Sequence, residues 1–169
     1  MKKRTILLFG LLFIFLPAVA GGRIKVACVG NSVTWGMTIA DREKNCYPAQ
    51  LQQMLGSGYE VRNFGHSGTT LLHLGHRPYI EQKEYKEALD FKADLVVIHL
   101  GLNDTDPRNW PEHSDDFNAD YIRLIDSFRQ ANPKAKIWIC LMSPIFDRHP
   151  RFESGTRDWH AQILQHIRQ

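Results

Sequence analysis

Ile24-Lys25-Val26-Ala27-Cys28-Val29-Gly30-Asn31-Ser32-Val33-Thr34-Trp35-Gly36 (residues 24–36) is a short β-branched run that stops at a glycine. The run reads as a buried strand, and the residues after the glycine read as the head of a helix. Outward from there the pattern repeats. Tyr59 to Phe64, Leu95 to Leu100 and Ile137 to Met142 are further apolar runs, the second of them the most apolar. Pro48 to Leu55 has helical spacing, with proline at its start and Gly56 just beyond it. Glu81 to Phe91 is amphipathic, with Tyr85 and Leu89 on one side. Asp116 to Arg129 carries Phe117, Tyr121, Leu124, Ile125 and Phe128 at three- and four-residue steps. Gly155 to Ile167 reads as a last helix, with Ser154 as its cap. Strands that alternate with helices, in near-continuous apolar runs, predict an α/β domain with a parallel sheet covered on both faces. Ligands bind such sheets at the carboxyl ends of the strands.

The first twenty residues stand outside that pattern. Lys2, Lys3 and Arg4 precede an apolar run from Ile6 to Phe15, and Ala18-Val19-Ala20 supplies small residues before Gly21. This is the form of a cleaved secretory signal peptide, which would place residues 21–169 as one domain in the periplasm or outside the cell; an uncut membrane anchor is the alternative reading. The formal net charge of the 169-residue chain is +3, and loss of those three basic residues brings it to 0. A neutral mature protein has no footprint for nucleic acid and no basic surface for a membrane after signal cleavage. Cys28, Cys46 and Cys140 are an odd set without regular spacing, so they form no disulfide framework, although the sequence leaves room for a single bridge in an oxidising compartment. Cys28 and Cys140 lie within apolar runs and read as small core residues.

Three segments converge on the carboxyl edge of the predicted sheet. Gly30 to Gly36 follows strand one, and a serine there can present its hydroxyl beside the free N–H groups at a helix head. An N-cap serine in a turn has the same local sequence. Asn63-Phe64-Gly65-His66-Ser67-Gly68-Thr69-Thr70 follows strand two, and its glycines let backbone approach a ligand closely. Gly101-Leu102-Asn103-Asp104 follows strand three. An asparagine amide there can point at the same place, or serve turn chemistry.

Together and in this order, the three segments resemble the blocks of the SGNH hydrolases, also called GDSL esterases. Gly30-Asn31-Ser32 looks like the first block, with asparagine where aspartate is commoner. The resemblance implies that Ser32 is the nucleophile and that its N–H is one oxyanion donor. Gly68 resembles the second-block glycine, whose N–H is the second donor, and Asn103 the third-block asparagine, whose side chain is the third. Leu100 to Thr105 followed by Asn109-Trp110 look closest to bacterial carbohydrate O-acetylesterases, including sialate acetylesterase-like members. The resemblance implies a flavodoxin-like three-layer αβα fold with sheet order 2-1-3-4-5. It also implies a small acyl ester or acetylated carbohydrate as substrate and no cofactor.

The family's fourth block, Asp-x-x-His after a fifth strand, has no counterpart. No Asp or Glu in the chain has a His three residues later. Asp158-Trp159-His160 and Asp147-Arg148-His149 come nearest, with the wrong spacing. The expectation is a C-terminally incomplete domain that lacks the last strand and helix, with strand four as an exposed edge. Two further readings remain open: a catalytically inactive domain that binds acylated glycans, and a nucleotide-binding flavodoxin-like domain. The latter lacks a phosphate-cradling glycine loop after strand one. His73 and His76 have the spacing of a metal pair on a short helix, without an evident third ligand. Asp104 and Asp106 read as turn caps or cation ligands. His66 beside the second block reads as a substrate contact or a surface residue. Trp35, Tyr79 and Trp110 suit either a sugar ring or packing.

Overall fold

The computed structural model describes residues 22–145 and 156–169. The signal segment, the Asp147-Arg148-His149 pair and the Ser154 cap lie outside the described residues. Four parallel strands, β1 (Ile24–Gly30), β2 (Tyr59–Gly65), β3 (Leu95–His99) and β4 (Lys136–Ile139), form one sheet in the order β2-β1-β3-β4. That is the predicted order as far as strand four. The helices are α1 (Ser32–Trp35), α2 (Arg42–Asn45), α3 (Tyr47–Leu55), α4 (Lys83–Phe91), α5 (Trp110–His113), α6 (Phe117–Ala131) and α7 (Thr156–Ile167).

Alternation along the strands separates the two faces. Ala27, Val29, Phe64, Val96 and Ile98 point to one side, where they pack with Ala88 and Phe91 of α4 and with Phe117, Tyr121, Leu124 and Phe128 of α6. The spacing that predicted α6 is thus the spacing of its buried stripe. The other side is narrower. Gly30 and Gly65 face α1 so closely that a Cβ on either would collide with Thr34 or Trp35. These glycines let α1 sit directly on the ends of β1 and β2.

The two edges of the sheet differ. Along β2, the Gln52 carboxamide stands in for a neighbouring strand. Its Oε1 accepts from Val61 N at 2.8 Å and its Nε2 donates to Tyr59 O at 3.2 Å. Asn63 Oδ1 likewise accepts from Gly65 N at 2.9 Å. Side-chain amides therefore occupy part of this edge and discourage pairing with another chain. At β4, among the described residues, no strand lies outside, and Trp138 and Ile139 are 64% and 39% exposed. Trp138→Lys is expected to reduce self-association, read as a lower weight-average mass in sedimentation at high concentration. Its effect on unfolding free energy should stay within about 0.5 kcal/mol, as for other exposed sites. An unchanged mass distribution would show that this edge does not drive association.

Some boundaries move for physical reasons. β4 ends at Ile139, not Met142, because its partner β3 ends at His99; Cys140 N still donates to Ile98 O at 2.8 Å. The segment expected as a loop over Asn103 to Asp115 contains a 3-10 turn at Asn103–Thr105 and the helix α5, with Trp110 buried. His73 and His76 lie in a turn, not on a helix. All three cysteines are free thiols. Cys28 and Cys46 are buried, but Cys140 is only half-buried at the sheet margin.

Candidate active site

Asn31 builds the end of β1 into a helix start. It is fully buried, and its Oδ1 accepts from Val33 N at 3.0 Å as the N-cap of α1. Ser32 is then the first helical residue, half-buried, and its own N–H has no partner available within the helix. The helix is one turn long, so what it offers a developing anion is free N–H groups rather than a summed dipole.

The loop after β2 is tied to the end of β1 by His66 N, which donates to Gly30 O at 2.9 Å. Two residues on, Gly68 has φ +84, and a Cβ there would lie 2.9 Å from Arg77 Nη1. The left-handed backbone favours glycine at this position, while the guanidinium is the mobile end of a long side chain and can shift aside. Arg77 Nη1 also donates to Ser67 O at 3.2 Å. The segment after β3 meets the same loop: Asn103 Nδ2 donates to Thr69 O at 2.8 Å, which leaves its second hydrogen for another acceptor. All three predicted positions therefore lie on segments that leave the same strand ends, and two of those segments are in direct contact.

Asp104 is neither a turn cap nor a cation ligand. It is fully buried, and its two carboxylate oxygens accept from Leu71 N at 3.0 Å and Leu72 N at 2.8 Å. Burial pushes its pKa up to about 6, against the opposing pull of those N–H donors. Asp106 is held down at about 2, chiefly by its side-chain bond to Arg108, which engages both oxygens. His73 Nδ1 sits 3.3 Å from Asp120 Oδ1, and His76 Nδ1 sits 3.1–3.2 Å from the Asn109 carboxamide, so the pair points at separate partners. Among the described residues, no three His, Cys, Asp or Glu side chains gather as a metal site.

His66 Nδ1 pairs with Glu84 Oε2 at 2.9 Å, which has the form of a histidine oriented by a carboxylate. Glu84 belongs to α4, across the sheet from α1 and Ser32. His160 Nε2 lies 2.9 Å from Ser143 O, while Asp158 is exposed. Tyr79 and Trp110 are core residues: Tyr79 donates to Phe64 O at 2.7 Å and Trp110 Nε1 to Gln162 Oε1 at 2.8 Å. Trp35 remains at the surface with the Arg42 guanidinium 4.4 Å over its ring.

Residues to which the sequence reading gave no such role hold the loop in place: Asp104, Asn109 and Asp120. Asp120 left a signal. It lies beside Tyr121 in the apolar stripe of α6, where a charge needs a buried partner.

Asp104 makes a pH prediction. Its folded pKa of about 6 lies above the ordinary 3.8, so its protonation favours the fold. That stabilisation is complete below about pH 4 and is lost as pH rises through about 6. Between pH 7 and pH 4, wild type should gain roughly 2–3 kcal/mol relative to Asp104→Asn. Urea melts of both proteins at the two pH values measure the gap. A pH-independent gap would mean that Asp104 titrates normally.

A parallel α/β sheet with serine, glycine and asparagine segments at its carboxyl edge defines a recognised hydrolase architecture. Residues 28–169 match the GDSL-like lipase/acylhydrolase family, and the chain belongs to that family. An acetylxylan esterase of Xylanibacter ruminicola is 47% identical over 114 residues, covering 68% of this chain and 24% of that protein. The chain thus spans about a quarter of the length of that curated relative. Among solved structures, an acetyl xylan esterase, AlAXEase, matches with TM-score 0.61 and 21% identity over 86% of this chain and 71% of its own. A family two carbohydrate esterase from Clostridium thermocellum, in complex with cellohexaose, matches with TM-score 0.59 and 18% identity over 88% and 50%. At these identities the likeness to solved structures is one of fold.

Proposed function

We propose that this chain carries the nucleophile and oxyanion-binding part of a serine ester hydrolase. It removes small acyl groups, chiefly O-acetyl, from carbohydrate, and is exported through the segment at residues 1–20. The observation that carries this reading is the meeting of Ser32, Gly68 and Asn103 segments at one sheet edge, secured by the Asn103 to Thr69 bond at 2.8 Å. The family membership and the 47% identity to an acetylxylan esterase support the acyl and carbohydrate parts.

In this mechanism Ser32 Oγ attacks the ester carbonyl carbon and its proton passes to a base. The carbonyl oxygen becomes an oxyanion that accepts from Ser32 N–H, Gly68 N–H and the second hydrogen of Asn103 Nδ2. Collapse expels the sugar hydroxyl, and water then releases acetate from the acyl-serine. No metal or organic cofactor takes part. None of the hydrogen bonds of His66, His73, His76 and His160 runs to Ser32: they go to Glu84, Asp120, Asn109 and Ser143 O, and none of the four is assigned as the base.

The test combines an acetate assay on acetylated xylo-oligosaccharides with labelling by diethyl 4-nitrophenyl phosphate and peptide mapping. Acetate release with a phosphoryl adduct on Ser32 is the expected result. Binding of the acetylated oligosaccharide with neither turnover nor Ser32 adduct would replace this reading with that of an acylated-glycan binder.

A further inference from the structure

The loop between β2 and α4 carries almost no regular structure of its own. Residues 66–78 contain one isolated bridge, Thr70 to Pro78, and few internal backbone bonds. Yet Thr69, Thr70, Leu71 and Leu72 are buried, and buried N–H groups need acceptors. Side chains from two distant segments supply them. Asp104 accepts from Leu71 N and Leu72 N at 3.0 and 2.8 Å. Asp120 Oδ2 accepts from His73 N at 2.8 Å, and Asn109 Oδ1 from His76 N at 2.9 Å. Asn109 Nδ2 also donates to Asn103 O at 2.9 Å, which ties the suspension back to the segment after β3.

The arrangement ties the stretch just beyond Gly68, one predicted oxyanion donor, to Asn103, another, and its neighbour. Asn103 holds the carbonyl of Thr69, and the next residue, Asp104, holds the N–H groups of Leu71 and Leu72. One dipeptide therefore grips the loop on either side of Thr70, starting at Thr69, the residue after Gly68. A carboxylate that accepts two N–H groups is a stronger and more directional anchor than a neutral acceptor. It fixes the Gly68 backbone relative to the Asn103 amide. Two oxyanion donors on separate segments act together only if their spacing is held to a fraction of an ångström.

We propose that Asp104 is a positioning residue for the ester hydrolysis, with Asn109 and Asp120 in support, suspending the Gly68 loop so that both donors reach one oxygen. The inference rests on the ester-hydrolase reading above. Asp104 touches no substrate; it acts through the loop backbone.

The experiment compares wild type, Ser32→Ala, Asp104→Asn and Asp120→Asn, each checked for folding by circular dichroism, on acetate release. Asp104→Asn should lower kcat by roughly tenfold or more while KM moves less than about threefold, because the oxyanion exists only in the transition state. Asn103→Ala should cost less in the Asp104→Asn background than in wild type, since the donor it removes is already displaced. Leu71 and Leu72 amides should exchange with deuterium faster than in wild type. Asp120→Asn carries the same readouts with a smaller fall, and stands in if Asp104→Asn does not fold. If Ser32→Ala keeps wild-type turnover, the ester-hydrolase reading fails and this one with it. If Ser32→Ala abolishes turnover but the folded aspartate variants keep kcat within about twofold, or lose efficiency through KM alone, only the positioning role is overturned.

Discussion

Ser32→Ala is expected to slow acetate release from acetylated xylo-oligosaccharides by at least ~1000-fold, with the protein's melting temperature essentially unchanged. The size comes from what a hydroxyl does there. Without it no acyl-enzyme forms, and only direct attack by water, aided by the remaining donors, is left. The stability half comes from place. Ser32 is half-buried at the first position of α1, and the cap is made by Asn31, not by Ser32. A fold-neutral loss of activity would identify the nucleophile. A variant with wild-type turnover would remove Ser32 from the chemistry and with it the reading of the whole edge.

The second large effect is expected at Asn103. Its Nδ2 carries two hydrogens, and one is spent on Thr69 O at 2.8 Å. Asn103→Ala removes both. Loss of one oxyanion donor should lower kcat by roughly 100- to 1000-fold, equivalent to about 3–4 kcal/mol of transition-state stabilisation. Loss of the bond to Thr69 should also cost about 1 kcal/mol of folding stability. Kinetics on 4-nitrophenyl acetate and urea melts on the same preparation separate the two. A stability loss with unaltered kcat would leave Asn103 as a loop anchor only.

The sheet was legible in the sequence because each strand announces itself locally. A β-branched run that ends in glycine, as at Val29-Gly30, records burial on both faces and the close seat of α1. The helix α6 was legible for the same reason, since its stripe of Phe117, Tyr121, Leu124 and Phe128 is a periodic signal. The end of β4 was not legible, because a strand runs only as far as its neighbour and β3 stops at His99.

The site divided in the same way. Ser32, Gly68 and Asn103 were singled out by the resemblance of three segments, each following a strand, to the family's blocks, and all three lie on segments that reach the same edge. Of the residues that hold the loop, Asp104 was misread and Asp120 was given no reading. Asp104 looked like turn chemistry because aspartate beside Asn103 and Gly101 fits a local turn. Its actual partners are 33 and 32 residues away, and Asp120 reaches 47 residues to His73. Hydrogen bonds of that span leave no periodic trace. Trp110 and Tyr79 had aromatic character suited to a sugar, but their burial decides for packing.

The suspension of the loop after β2 from Asp104, Asn109 and Asp120 grips main-chain N–H groups, which every amino acid except proline possesses. The outward side chains are thereby released from structural duty. Leu74 is 68% exposed and supplies no tether among the hydrogen bonds of the loop, whereas Arg77 holds Ser67 O through its guanidinium. Such a rim can be rewritten one residue at a time while the donors behind it stay where they are. Under the ester-hydrolase proposal, such a loop would separate what is recognised from how the reaction is run.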